Sequence, residues 1–297
     1  MLSTYVEDAD RPVYLLNAPL SLSADEPNND VMRELAPEQR VIDRGKALDQ
    51  WNELYAFLAS QGLVYLVPSV AGLQDQVFVA NLALRLHHLH GTVVVSNFRS
   101  PPRMGETPVG YDFFKSHGFE TVIAPPYFEG EADLKYLRDN IYLGAHGIRS
   151  SIEALDWFRE TYDMDVVPVE LTDGRLYHLD CVLFPLTPTH VMLCPDFLGR
   201  ETVARIERVA EIVPIPLAVA GAATTNCVRS GDTLLSDSHI ETLSARDPSY
   251  AEERAKLDVL EAIASRYGFE FQFFNLSEFD KSGAALSCHV MHLARGW

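Results

Sequence analysis

The sequence predicts an α/β fold, and three observations point there. Short β-branched or aromatic runs recur along all 297 residues, and helix-patterned segments lie between several of them. No low-complexity tract or Pro/Gly/Ser linker divides the chain, so one domain over 1–297 is expected. In chain order the strand runs are PVYLLN, LVYLVP, GTVVVS, ETVIAP, DVVPVEL, THVMLC, IPLAVA and FEFQFF. The first helix is expected over Arg44–Gln61, with apolar residues at helical spacing and Gly62 as its stop. A second begins at Ser150, where SSIE reads as a capping box with Glu153, and continues through Trp157. ETVARIERVAEIV and YAEERAKLDVLEAIASRYG complete the helical set, each followed by an apolar strand. Polar residues of interest gather in the connecting loops, which suggests a repeated β–α unit with a site built from loops. Periodicity alone does not separate a propeller from an open sheet.

Composition narrows the function. A 47% hydrophobic and 22% charged content is that of an ordinary globular enzyme. The net charge of −18, with no stripe of Lys or Arg, argues against a nucleic-acid partner. Cys181, Cys194, Cys227 and Cys288 are widely spaced without a CxxC pair, and the first apolar stretch is too short for export or insertion. A reducing cytoplasm and no membrane association are therefore expected. HHLH at His87 to His90 lacks matching zinc-ligand spacing and reads as a half-buried helix–loop segment, so no metal is expected.

Four stretches carry candidate chemistry. In KSGAALSCHVMHL, Cys288 stands between a small-residue loop and an apolar run, where a nucleophilic thiol or a packed core cysteine both fit. DQVFVAN brackets an expected strand with Asp75 and Asn81. PPYFEGEAD sets Glu129 before a glycine, with Glu131 and Asp133 following. In GRLYHLDCVLFPL, His178 and Asp180 are two apart; on a strand they share one face and Cys181 points away. Arg99, Arg103 and Arg149 each follow a turn, where a guanidinium fork clamps carboxylates. A thiol, an imidazole and several acids suit a flat cation rich in N–H donors, and loop arginines suit a carboxylate at its other end.

The order of Asp75, Glu129, Arg149, His178 and Cys288 resembles the amidinotransferase and arginine deiminase superfamily, over roughly residues 11–295. The resemblance implies a five-bladed α/β propeller of pseudo-repeated ββαβ units, the pentein fold. It implies Cys288 as nucleophile, His178 as general acid/base and Glu129 as the partner of His178 and of the substrate. Asp75 and Asp180 would then grip a guanidinium, Arg149 and Arg99 an α-carboxylate, and Asn29 and Asn81 match asparagines of the arginine dihydrolases. NDVM and GAALSC depart from the usual family segments. The implied activity is hydrolysis of arginine or a related guanidino compound, with no cofactor and a small-molecule guanidino substrate as partner. An amidinotransferase and a non-catalytic pentein binding protein are the alternatives, and assembly into a homo-oligomer stays open.

Overall fold

The computed structural model describes residues 2–295. Its strands, in chain order, are β1 (Val13–Leu16), β2 (Leu63–Leu66), β3 (Ala83–Arg85), β4 (Thr92–Val95), β5 (Glu120–Ile123), β6 (Leu134–Arg138), β7 (Ile141–His146) and β8 (Asp165–Glu170). Then follow β9 (Leu183–Thr187), β10 (His190–Leu193), β11 (Glu211–Pro214), β12 (Val228–Ser230), β13 (Thr233–Asp237), β14 (Glu270–Phe274) and β15 (Met291–Ala294). They form five three-stranded sheets, β15-β1-β2, β3-β4-β5, β6-β7-β8, β9-β10-β11 and β12-β13-β14. Each sheet has one antiparallel and one parallel pair. A parallel pair needs a crossover, and the main helix of each is α1 (Arg44–Gln61), α2 (Glu106–Ser116), α3 (Ile152–Tyr162), α4 (Arg200–Glu207) and α5 (Pro248–Tyr267), the first crossover also holding the short helix Asp30–Glu34. The unit is thus ββαβ, repeated around a five-bladed α/β propeller. The last strand closes the ring, since β15 lies antiparallel to β1 with Leu15 opposite Met291.

Arg44–Gln61 and the helices at Ile152 and Pro248 form where the spacing predicts; ETVARIERVAEIV is helical only as far as Glu207, its last residues entering β11, and α2 is not among the expected helices. In α1, Ala47, Trp51, Leu54 and Leu58 bury one stripe, and Asp43 caps the start by accepting from the Lys46 amide at 3.1 Å. Each leucine so buried contributes roughly 1.5–3 kcal/mol. α5 ends at Gly268, whose φ of +78° is the left-handed conformation that glycine adopts without strain. Apolar clusters span adjoining blades: Val13 and Leu15 of β1 pack with Val93 and Val95 of β4 and Phe113 and Phe114 of α2.

Four local expectations are corrected. DQVFVAN is a run of turns ending in a 3-10 turn, Val79–Asn81, in place of a strand. His178 precedes another 3-10 turn, Leu179–Cys181, so the two-residue alternation does not apply there. IPLAVA becomes the short helix Leu217–Ala220, with Pro216 at its cap and alanine, a strong helix former, within it. The cap of α3 is Ser151, one residue later than expected, and its side chain makes no capping bond. His87 to His90 form a turn after β3, with no metal-holding group of acids, histidines and cysteines among the described residues. None of the described helices is long and apolar enough to cross a membrane. Positions 1, 296 and 297 of the expected domain lie outside the described residues.

Candidate active site

The connection from the third strand of one blade to the first strand of the next tightens into a turn five times, and all five turns deliver polar groups to one end of the ring. Between β2 and β3 it carries Asp75 and Asn81; between β5 and β6, Glu129 and Asp133; between β8 and β9, His178 and Asp180. Between β11 and β12 it carries Asn226, and between β14 and β15, Cys288. Asn29, Asp75, Asn81, Arg149, His178 and Cys288 line one small cavity of about 20 Å³.

His178 is buried at 3% exposure and held from both sides. Its Nδ1 donates to Asp133 Oδ1 at 2.9 Å, while Asn81 donates to Nε2 at 3.1 Å, a tautomer assigned from those partners. Glu129 Oε2 lies 3.4 Å from the same Nε2. Neutral histidine therefore takes the Asn81 amide, and a protonated Nε2 has a carboxylate at hand. Asp133 is itself fixed by the Ser150 hydroxyl at 2.6 Å.

Cys288 is 7% exposed, with Asp180 Oδ2 and Asn226 Nδ2 each 3.9 Å from its sulfur. Burial, then the Asp180 charge, pushes the thiol up to about 12, so it rests protonated. Asp180 also accepts the Ser287 hydroxyl at 2.6 Å, and Asn226 accepts the Ser287 amide at 2.7 Å, which pins the Cys288 loop at two points. Cys181 does not point to an opposite face: the 3-10 turn sets its sulfur 3.8 Å from Asp180 Oδ1.

Asp75 is 3% exposed, and burial raises its carboxyl above the usual range despite Arg103 nearby. Its Oδ2 accepts only amides, from Asn28 at 2.5 Å and Gln74 at 3.2 Å. Arg103 is spent on Glu106, by two bonds of 2.9 and 2.8 Å, and on the carbonyls of Asp75 and Phe78. It positions the Asp75 turn and has no fork left for a carboxylate. Arg149 ion-pairs with Glu129 at 3.2 Å, donates to the Asn28 carbonyl at 2.8 Å and lies over the Tyr177 ring at 4.9 Å.

Two expected ligands stand differently. Arg99 is not among the residues lining the Cys288 cavity; it is exposed at the rim of an outer cleft that also reaches Arg149, donating to the Ile148 carbonyl at 3.3 Å. Asn29 lines the cavity, yet its amide caps the helix Asp30–Glu34 and donates to the Ser282 carbonyl at 2.9 Å. Asp133 and Asn226 were passed over as site residues. The signal for Asn226 was present: it stands two residues before β12, as Asn81 stands two before β3.

No protein-family model matches the chain. It is 29% identical over 254 residues to the bifunctional arginine dihydrolase/ornithine cyclodeaminase AgrE of Nostoc sp., a match covering 84% of the chain and 34% of that protein. The chain thus spans about a third of that relative's length. It is 26% identical over 253 residues to the N(G),N(G)-dimethylarginine dimethylaminohydrolase of Mycobacterium tuberculosis, covering 85% of the chain and 77% of the relative. The crystal structure of an AgrE mutant in binary complex with L-arginine superposes with a TM-score of 0.83 at 26% identity, over 97% of this chain and 40% of that one. By ring topology and by these relatives, the chain is similar to the guanidino-group-modifying, pentein enzymes.

Proposed function

We propose that the chain, acting as one catalytic domain, is a cysteine-dependent hydrolase of the guanidinium group of arginine or a related guanidino compound. The observation that carries this reading is the convergence of Cys288, His178 and Asp75 on one small cavity, with Asp180 and Glu129 against the first two. Asp75 and Asp180, which form no ion pair among the described residues, favour a cationic guest. In this reading Asp75 and Asp180 accept the guanidinium N–H groups in forked geometry, Glu129 faces a further nitrogen, and Arg149 takes an α-carboxylate. Arg99 meets the substrate only at the outer cleft.

The guest's positive charge offsets the burial that keeps the Cys288 thiol protonated, so the thiol proton passes to neutral His178 at Nε2 and the thiolate attacks the guanidinium carbon. As the Sγ–C bond forms and a C–N bond breaks, protonated His178 gives its Nε2 proton to the departing ammonia. Neutral His178 then takes a proton from water, whose oxygen adds to the amidino carbon. Collapse expels the thiolate and leaves a ureido product, so arginine and one water give citrulline and ammonia. A second round on the ureido carbon gives ornithine, carbon dioxide and a second ammonia. Relatives named for arginine dihydrolase and dimethylaminohydrolase activity support water, over an acceptor amine, as the second nucleophile. Four free cysteines agree with work in a reducing cytoplasm.

Incubation of the purified chain with arginine and related guanidines, read by mass spectrometry, tests this. Ammonia with citrulline or ornithine is expected, and an added amine should change no product. Cys288→Ser should bind arginine but turn it over more slowly by about a thousandfold or more. Turnover retained in that variant, or no guanidine consumed by the wild type, sinks the reading.

A further inference from the structure

Asn28 is not among the residues expected at the site, yet it separates the reaction cavity from the outside. It and Arg149 are the two residues that line both the small cavity around Cys288 and the outer cleft, whose volume is about 650 Å³. Asp25, Glu26 and Pro27, beside it in the cleft wall, are exposed. The segment that carries them, between β1 and α1, holds only the short helix Asp30–Glu34 and the 3-10 turn Pro37–Arg40. At its tip the ties to neighbouring turns are polar. Gln74 accepts the Glu26 amide at 3.2 Å and donates to the Glu26 carbonyl at 2.9 Å, and Asn29 donates to the Ser282 carbonyl at 2.9 Å. Such ties exchange for water at small net cost, so the tip is able to leave its place.

Asn28 makes two bonds of its own into the site. Its side-chain amide donates to Asp75 Oδ2 at 2.5 Å, and its main-chain carbonyl accepts from Arg149 at 2.8 Å. Those partners are the carboxylate and the guanidinium that the proposed function gives to the two ends of the substrate. One residue thus presents a donor to the first and an acceptor to the second, which is the polarity of a guest. The cavity it leaves is about 20 Å³, room for roughly one water, where a six-carbon ring fills about 150 Å³. A guanidinium and its chain cannot share that space with Asn28.

We propose that Asn28 is an internal stand-in for the substrate, evicted from Asp75 and Arg149 when a guest enters through the outer cleft. The inference rests on the guanidino-hydrolase reading above. The exchange favours a guest charged at both ends. A guanidinium on Asp75 replaces a neutral amide, a carboxylate on Arg149 replaces a neutral carbonyl, and charge-assisted hydrogen bonds are about twice as strong as neutral ones. A guest with one charged end regains one contact for the two that leave together. Asn28 is therefore a specificity-determining residue, and its hold on the site lowers the apparent affinity of a guest by the fraction of chains in which it has let go.

The probe is L-arginine, titrated calorimetrically into the full Cys288→Ser chain so that binding is read without turnover. Asn28→Ala in that background should tighten arginine by about fivefold, the net worth of one hydrogen bond. Asn28→Ser, whose side chain ends one bond short of Asp75, should do the same. Deuterium exchange over residues 24–34 should quicken when arginine is added, because the tip gives up its partners. A residue that contacts bound substrate gives the opposite signs, with weaker arginine in both variants and slower exchange, and either result overturns the inference. A larger chamber of about 370 Å³ also reaches Cys288, and entry from there leaves Asn28 in place. Unchanged affinity in the variants with unchanged exchange is the sign of that route and equally overturns the inference. The exchange measurement keeps Asn28 itself, so it decides even where a variant fails to fold. Arginine that binds no form of the chain defeats the guanidino reading and the inference with it; arginine that binds while Asn28 stays in place defeats the inference alone.

Discussion

Glu131 and Asp75 are buried alike, at 2% and 3% exposure, yet their protons are held in opposite ways. Burial alone raises both. At Glu131 the His292 ring donates at 2.8 Å, the His292 amide at 2.8 Å and Arg295 at 3.0 Å, and together they bring the carboxyl far below its usual range. At Asp75 the side-chain oxygen meets only amides, Arg103 being occupied by Glu106, and the carboxyl stays raised. A carboxylate whose cations come from the chain itself is part of the framework. One that lacks them is, in the reading proposed above, open to a cationic guest. The same difference separates Asp133, committed to His178, from Asp180, which faces the Cys288 sulfur.

The sharpest break of this comparison is on the catalytic side. Asp133→Asn removes the acceptor that orients His178, and kcat should fall by about a hundredfold or more with KM little changed, measured by steady-state ammonia release. An unchanged kcat would return Asp133 to the framework.

Next comes the matched pair of carboxylates. Glu131→Gln should cost about 3 kcal/mol in urea unfolding, because Arg295 and His292 lose a buried partner. Asp75→Asn should cost little stability and instead raise the arginine KM by about thirtyfold. The pH dependence carries a sign. A depressed carboxyl contributes stability above its unfolded pKa of about 4.3 that is lost as pH falls, so wild-type stability should drop more steeply than that of Glu131→Gln below that pH.

The smallest effect concerns the thiol. With Cys288 pushed up to about 12, its alkylation rate in the free chain should climb about tenfold per pH unit from 8 to 11. Asp180→Asn, by removing the repelling charge, should shift that climb to lower pH by about one unit. A plateau near pH 8 in the wild type would mean a thiolate already formed.

The sheets and crossover helices were largely legible in the residues. GTVVVS, ETVIAP and DVVPVEL are β4, β5 and β8, and Arg44–Gln61 is α1 to the residue, because β-branched runs and a helical apolar stripe are local signals. Strands such as β3 and β12, three residues long, were not legible, since they are held by pairing across the sheet. The turns were misread for a related reason. Apolar residues in QVFVAN and HLDC face the space between blades, which imitates a strand where the backbone is a tight turn. The expected partnership of Glu129 and His178 has a counterpart in their 3.4 Å approach. Asp133 could not be chosen over its acidic neighbours, because only the fold shows which carboxylate of GEAD turns to the ring.

The seam between β15 and β1 has a consequence for biogenesis. Cys288 lies only three positions before β15, so the sulfur comes to rest opposite His178 only after the ring has shut. In the reading proposed above, a nascent chain stalled before codon 288 holds the acids and the imidazole without the thiol that attacks, and its chemistry waits on the closing strand.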